Sequence, residues 1–371
     1  MANNKRKKPT LEEKDFTGGA IHALGTYQGS TGDSDIDAQV AQLVKHWDCG
    51  KRASLIEELI ITALNIGHDG AGPGELKLLN RSLKEMRTAN NVFRPYRDVR
   101  KVSVFGSART APNQPEYAAA VAFGERMSAN GFMTITGAGD GIMGAAQKGA
   151  GRENGFGLNI RLPFEQAANE TIVGDSKLVD FNYFFTRKLS FMKESHAVTL
   201  LPGGFGTMDE GFELLTLMQT GKASILPVVM HDSPGGSYWK TYLQFLKEHL
   251  LRLGMISEED LYFFKITDDV DVAVEEILHF YKNFHSYRHV RDQLVIRLNQ
   301  ALTDEAVAAL NRSFPDLVAE GEFQQGKALP EERNEEEIVN LPRLIFTPKK
   351  RNYGRFRVLI DSINTLQTKV L

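Results

Sequence analysis

Between Val99 and Phe284, short apolar runs alternate with segments of helical period. Such alternation predicts a parallel sheet carrying helices on both faces. Lys101-Val102-Ser103-Val104-Phe105 reads as a strand that breaks at Gly106-Ser107, and a helix is expected near 116–129. Phe132–Thr136 reads as the second strand, followed by the Gly137–Gly144 loop and another helix. Gly155–Ile160 and Lys177–Phe181 are further strands. A helix over 186–195, a strand over 197–201, a helix over 207–220 and a strand over 225–230 complete the pattern. Upstream, Val40, Leu43, Val44 and Trp47 recur with a helical period. Two more helices, 52–65 and 74–89, flank the Gly-rich stretch 68–74. The boundaries expected are therefore a loose segment over 1–35, a helical unit over 36–98, a Rossmann-like domain over 99–284 and an extension over 285–371. The extension reads as α+β: helices over 288–299 and 303–312, an acidic loop over 320–337, then strands Leu344–Phe346 and Phe356–Ile360 around a basic turn.

Composition narrows the class without identifying the chemistry. A length of 371 residues suits one large domain with appendages or two domains. With 42% hydrophobic and 25% charged residues the balance is that of a globular protein. A net charge of −3 gives no electrostatic case for nucleic acid or an anionic membrane as partner. The one cysteine, Cys49, excludes an intramolecular disulfide and a thiolate metal cluster. The basic start, MANNKRKKPT, lacks the apolar stretch of a secretory signal, so a cytoplasmic protein is the default expectation.

The candidate chemistry lies at the ends of the expected strands, where open α/β sheets bind ligands. Pro202-Gly203-Gly204-Phe205-Gly206-Thr207-Met208-Asp209-Glu210 links an apolar strand to a helix. Glycines there allow a tight turn, and a helix N-terminus with free N–H groups suits an anion, phosphate above all. Glu210 then falls in the first helical turn, beside the phosphate cradle. A helix dipole alone accounts for one acid at that place. It does not account for acids following a glycine cradle that itself favours anions. Glu213 shares the helix face with Glu210. Arg187 and Lys188 precede the same strand; an Arg-Lys pair is most simply a solvated face, yet Arg is suited to bidentate phosphate contact. Gly139-Asp140-Gly141-Ile142-Met143-Gly144 matches GxGxxG, but the next strand ends at Asn159-Ile160-Arg161, without the ribose-binding acid of a dinucleotide site. A mononucleotide loop is the better reading, with Gly106 and Ser107 at the end of the first strand as its neighbours. The nine histidines show no metal-ligand spacing, so no metal is expected.

Taken together, Phe105-Gly106-Ser107, the Gly137–Gly144 loop, Arg187-Lys188 and the PGGxGTxxE segment resemble the LOG (Lonely Guy) family of phosphoribohydrolases. The resemblance covers Val99 to Phe284. It implies a Rossmann-like fold that binds a nucleoside 5′-monophosphate and hydrolyses its N-glycosidic bond, releasing free base and ribose 5-phosphate. It implies Arg187 and Glu210 as the catalytic pair, with no cofactor. Gly106, Ser107, Gly139, Asp140, Lys188, Gly203, Gly204, Gly206, Thr207 and Glu213 are the expected substrate-binding residues. It further implies a homo-oligomer, a dimer or larger. Many members carry His two residues before the Arg; here Phe185 stands there. The competing function is a nucleotide or cofactor carrier that uses the same cradle without turnover. Two basic clusters, Lys5–Lys8 and Lys349-Lys350-Arg351, read as solvated surface, with a second anion site at the constrained turn as the alternative.

Overall fold

The computed structural model describes residues 29–162, 167–332, 337–349 and 352–369. Two compact units are present, one within 29–87 and one within 88–369. The first holds helices α1 (Ser34–His46) and α2 (Ala53–His68) and most of α3 (Pro73–Phe93). Asp33 caps α1 by accepting the Asp35 and Ile36 N–H groups. Val40, Val44 and Ile61 make its small core. Residues 1–28, with the Lys5–Lys8 cluster, lie outside the described residues, as do Lys350 and Arg351 of the basic turn.

The second unit is organised around a sheet of seven strands. These are β1 (Lys101–Phe105), β2 (Met133–Thr136), β3 (Gly155–Ile160), β4 (Leu178–Phe181), β5 (Ala197–Leu200), β6 (Val228–His231) and β7 (Phe264–Thr267). Between them run α4 (Pro115–Ala129), α5 (Ile142–Ala150), α6 (Phe184–Glu194), α7 (Phe205–Gln219) and α8 (Tyr238–Phe245), and α9 (Val270–Phe280) follows. The strands lie in the order β4-β3-β2-β1-β5-β6-β7, and every neighbouring pair is parallel. The expected Rossmann-like parallel fold is thus observed, with a seventh strand, β7, and helices α8 and α9 that the expected pattern lacked.

Period-two alternation supplies both faces of this sheet. Val102, Val104 and Val229 pack on Phe123 and Met127 of α4, Ile142 and Ala146 of α5, and Ile277 of α9. Phe105, Val198, Leu200 and Met230 point the other way, toward Phe191 of α6 and Leu214 and Met218 of α7. The chain works outward from β1 to β4 and then returns to place β5 against the free side of β1, from Val102 opposite Ala197 to Phe105 opposite Leu200. Loops leaving β1 and β5 therefore run in opposite directions and open a crevice between them.

The extension forms an antiparallel sheet, in the order β10-β11-β9-β8. Its strands are β8 (Phe284–Val290), β9 (Gln293–Leu298), β10 (Val318–Gly326) and β11 (Arg343–Pro348), with helices α10 (Asp304–Ser313) and α11 (Tyr353–Thr365). Leu294, Ile296, Leu344, Leu359 and Ile360 join the same core as the α6–α7 face of the large sheet. The architecture is α+β, as expected, but three of its elements are not. The segment 288–299 is a hairpin rather than a helix. Val290, Leu294, Val295 and Leu298 fit a helical period, but the alternating set Leu294, Ile296, Leu298 decides the outcome, with Arg291 turning the chain at φ 55°. Phe356–Ile360 lies within α11 rather than a strand, because Phe356, Leu359, Ile360 and Ile363 share one helical face and Asn352 caps its start. The acidic stretch after residue 318 contains strand β10 instead of only a loop. It is polar because it is an edge strand with Phe323 as its buried side chain.

Two polar arrangements hold this sheet. The Asn311 side chain accepts from the Phe323 N–H at 2.8 Å and donates to its carbonyl at 3.2 Å, occupying the outward peptide groups of β10. Arg297 and Arg343 stand opposite each other on β9 and β11, fully buried. Glu332, also fully buried, accepts from Arg297 at 2.9 Å and from Arg343 at 3.2 Å. Without that carboxylate two like charges would face each other in the core.

Candidate functional site

At the β1–β5 crevice lies a cavity of about 790 Å³. Phe105 to Arg109 line it from the end of β1, Gly137 from β2, and Asn159 and Ile160 from β3. Gly203 to Met208 and Glu210 line it from the β5–α7 connection, Arg187 and Phe191 from α6, and Tyr238 from α8. Of the residues singled out in the sequence, Gly106, Ser107, Arg187, Gly203, Gly204, Gly206, Thr207 and Glu210 meet here. Gly139, Asp140, Lys188 and Glu213 are not in the lining.

The local backbone explains the glycines. Ser107 donates its N–H to the Pro202 carbonyl at 3.1 Å, tying the β1 loop to the β5 loop. Gly203 packs so closely that a Cβ would overlap the Thr207 hydroxyl and sit 3.0 Å from the Ser107 nitrogen. Gly204 and Gly206 face open space. Gly204 is the N-cap of α7, and its carbonyl accepts the N–H groups of Thr207 and Met208. The N–H groups of Phe205 and Gly206, at the first two helical positions, have no intrahelical acceptor. The positive end of α7 therefore borders the cavity. The Gly137–Gly144 loop acts differently. Gly141 takes φ 61°, a Cβ there would overlap the Ser107 carbonyl, and Ile142 donates to that same carbonyl at 3.0 Å. This loop braces the end of β1, while Asp140 is exposed and the Gly139 carbonyl accepts from the Asn169 side chain.

Charge is concentrated one helical turn into α7. Glu210 is 3% exposed. Its Oε1 lies 3.6 Å from Nη2 of Arg187, an ion pair beyond hydrogen-bond length. Oε2 of Glu210 and Nε of Arg187 are buried without a hydrogen-bond partner. Burial pushes the Glu210 carboxyl up to about 7, against the pull of Lys188 and Arg187. Burial likewise lowers the pKa of Arg187, opposed by Glu210 and Asp209, but a guanidinium stays charged at any working pH. Lys188 sits behind Glu210 rather than in the cavity. Its Nζ is 2.7 Å from Asp209, 2.7 Å from Glu213 and 3.9 Å from Glu210. Burial works against that ammonium, but hydrogen bonds to Asp209 and Glu213 outweigh it and hold its pKa above the ordinary value. One lysine thus faces three carboxylates, while of the Arg187-Lys188 pair only Arg187 reaches the lining.

The sequence reading missed Arg109, Asn159 and Tyr238. Their shared signal is position at or beyond the carboxyl end of a strand: β1, β3 and β6. Phe185, at the departure from the family pattern, is 54% exposed and stacks on Tyr183 at 5.4 Å. Among the described residues no group of His, Cys, Asp and Glu side chains is placed to hold a metal. No helix among them is long and apolar enough to cross a membrane.

Residues 143–277 match the family model described as "Possible lysine decarboxylase". No curated protein matches the chain significantly. Among solved structures, the molybdenum cofactor carrier protein from Chlamydomonas reinhardtii is similar over 48% of this chain and 98% of its own, with 20% identity and a TM-score of 0.34. The molybdenum cofactor binding protein from Rippkaea orientalis is similar over 48% and 93%, with 19% identity and a TM-score of 0.34. DNA processing protein A from Helicobacter pylori matches over 48% and 80%, with 14% identity and a TM-score of 0.34. The matched segment, 143–277, holds Arg187, Lys188 and the whole Pro202–Glu210 motif, and over that segment the chain is similar to the LOG family, whose model bears that description.

Proposed function

We propose that this chain hydrolyses the N-glycosidic bond of a nucleoside 5′-monophosphate to free base and ribose 5-phosphate. The observation that carries this reading is the buried Glu210 carboxylate, paired with Arg187, in the same cavity as the uncapped N-terminus of α7. The N–H groups of Phe205 and Gly206, with the Thr207 hydroxyl, hold the phosphate. Ser107 and Gly106 close the β1 side of that cradle. A phosphate fixed there places the ribose against Glu210, so binding energy is converted into position. Glycoside cleavage passes through a cation-like anomeric carbon. Ionised Glu210 stabilises that charge and orients the attacking water. The bond from the anomeric carbon to the base nitrogen breaks, a bond to the water oxygen forms, and the water's proton balances the nitrogen of the departing base. Arg187 holds the Glu210 carboxylate in place and adds a cation facing the ligand's anionic groups. Lys188 and Glu213 act from behind, by setting the charge around Glu210.

Incubation with AMP tests the reading. Release of free base together with ribose 5-phosphate, and turnover of AMP far above that of adenosine, is the expected result. Tight nucleotide binding without base release would make the protein a carrier. The same reading makes the chain a homo-oligomer. Phe184, Phe185 and Leu189 leave 41–54% of their surface exposed on α6, beside Arg187, where a second copy would cover them. Light scattering tests that assembly.

A further inference from the structure

Tyr238 was absent from every sequence-level expectation, yet it touches the motif loop directly. Its phenolic O–H donates to the Gly203 carbonyl oxygen over 2.6 Å. The loop is thereby held from two sides, since the preceding carbonyl, that of Pro202, accepts from Ser107 at 3.1 Å. No cis peptide occurs among the described residues, so the Gly204 N–H points away from the carbonyl that Tyr238 holds. Glycine on both sides of this peptide offers little steric resistance to its rotation. A rotated peptide would replace an N–H with a carbonyl oxygen beside the N-terminus of α7, repelling an anion where the present one attracts it.

Tyr238 is itself well anchored. Asp232, 2% exposed, accepts the Trp239 N–H at 3.0 Å, and Gly236 donates to Ser233 at 2.8 Å, which closes the turn before α8. The Tyr238 ring meets Trp239 edge-on at 4.8 Å. With its one proton committed to Gly203, the phenolic oxygen can only accept from a ligand. It is therefore unsuited to binding a phosphate oxygen directly.

We propose that Tyr238 is a positioning residue of the anion cradle: it locks the Gly203–Gly204 peptide so that the Gly204 N–H joins those of Phe205 and Gly206 facing a phosphorylated ligand. This rests on the reading of the cavity as a phosphate site. The test is Tyr238→Phe in the full chain, with calorimetric binding of AMP, adenosine and inorganic phosphate and with steady-state base release. Affinities for AMP and phosphate should fall together by about tenfold, the effect of one hydrogen bond. Adenosine binding should not change, and KM for AMP should rise while kcat moves far less. In the wild-type protein, phosphate should shift the Gly204 amide resonance, a measurement that needs no variant. Unchanged phosphate affinity in the variant, an equal loss for adenosine, or an unmoved Gly204 amide each overturns the proposal. AMP bound but not cleaved by the wild type sinks the hydrolase reading and leaves the role of Tyr238 standing. A wild type that binds neither AMP nor phosphate overturns both.

Discussion

Nη2 of Arg187 lies 3.6 Å from Oε1 of Glu210, the first side chain partly buried and the second buried, at the edge of one cavity. The pair is close enough to attract and too long to satisfy both groups, because Oε2 of Glu210 and Nε of Arg187 keep no hydrogen-bond partner. Replacing the carboxylate with its amide isolates its charge. Glu210→Gln should lower kcat for base release by about 10²–10⁴-fold while nucleotide binding persists, the range for a positioned acid or base. Isothermal titration beside product analysis checks this; wild-type turnover in the variant would move the chemistry elsewhere.

Proton linkage gives a second expectation. Glu210 is raised to about 7 by burial, so the active, ionised form is lost as the pH falls through neutrality. kcat/KM should drop tenfold per pH unit below about 7. Lys188 is the largest influence holding that value down. In Lys188→Met the acid limb should therefore move to higher pH, by about one unit. A pH–rate profile with an unmoved limb would exclude Lys188 from this role.

The same shift has a cost in stability. The folded protein binds the Glu210 proton more tightly than the unfolded chain does, so between the ordinary carboxylate value and about 7 this group's contribution falls as pH rises. Glu210→Gln removes that dependence. Relative to the variant, the wild type should lose at most about 3 kcal/mol between pH 4.5 and pH 8. Denaturant unfolding of both proteins across that range measures the difference; parallel curves would refute it.

Gly203 and Gly204 are adjacent in the motif and unequal in the structure. Gly203→Ala forces a methyl against the Thr207 hydroxyl and the Ser107 nitrogen, whereas Gly204 faces open space at φ −88°. Gly203→Ala should abolish nucleotide binding, and Gly204→Ala should leave the melting temperature within about 2 °C, as for a strain-free surface change. Binding and thermal unfolding of the two variants decide the matter, and equal behaviour would contradict the packing described.

Glu332→Gln should destabilise the protein by about 3–5 kcal/mol, since it leaves Arg297 and Arg343 buried and opposite each other without their shared carboxylate. A shift in the denaturation midpoint at constant slope reports it.

The sequence made some of this legible and hid the rest for physical reasons. The Pro202–Glu210 segment could be read because strand, turn, helix start and acid are contiguous. Arg187 and Lys188 could be told apart by chemistry and resemblance but not by position, because adjacent helical residues point about 100° apart and only the fold says which direction is the cavity. Asp140 stands in a glycine-rich loop but outside the cavity lining, and Gly141 of that loop serves the close approach to Ser107. Arg109, Asn159 and Tyr238 come from separate strand ends, and nothing local marks their convergence. In the extension, Phe356–Ile360 is apolar enough for either a strand or a helix, and packing on the shared core decides.

Asn311 has a consequence beyond its two hydrogen bonds. By occupying the outward N–H and carbonyl of Phe323 it leaves β10 no free peptide there to template another strand, and the exposed Glu320 and Glu322 add charge along the same border. At this point of the β10 edge a side chain imitates a neighbouring backbone. A device of this kind works against strand addition at a boundary that the polar sequence had disguised.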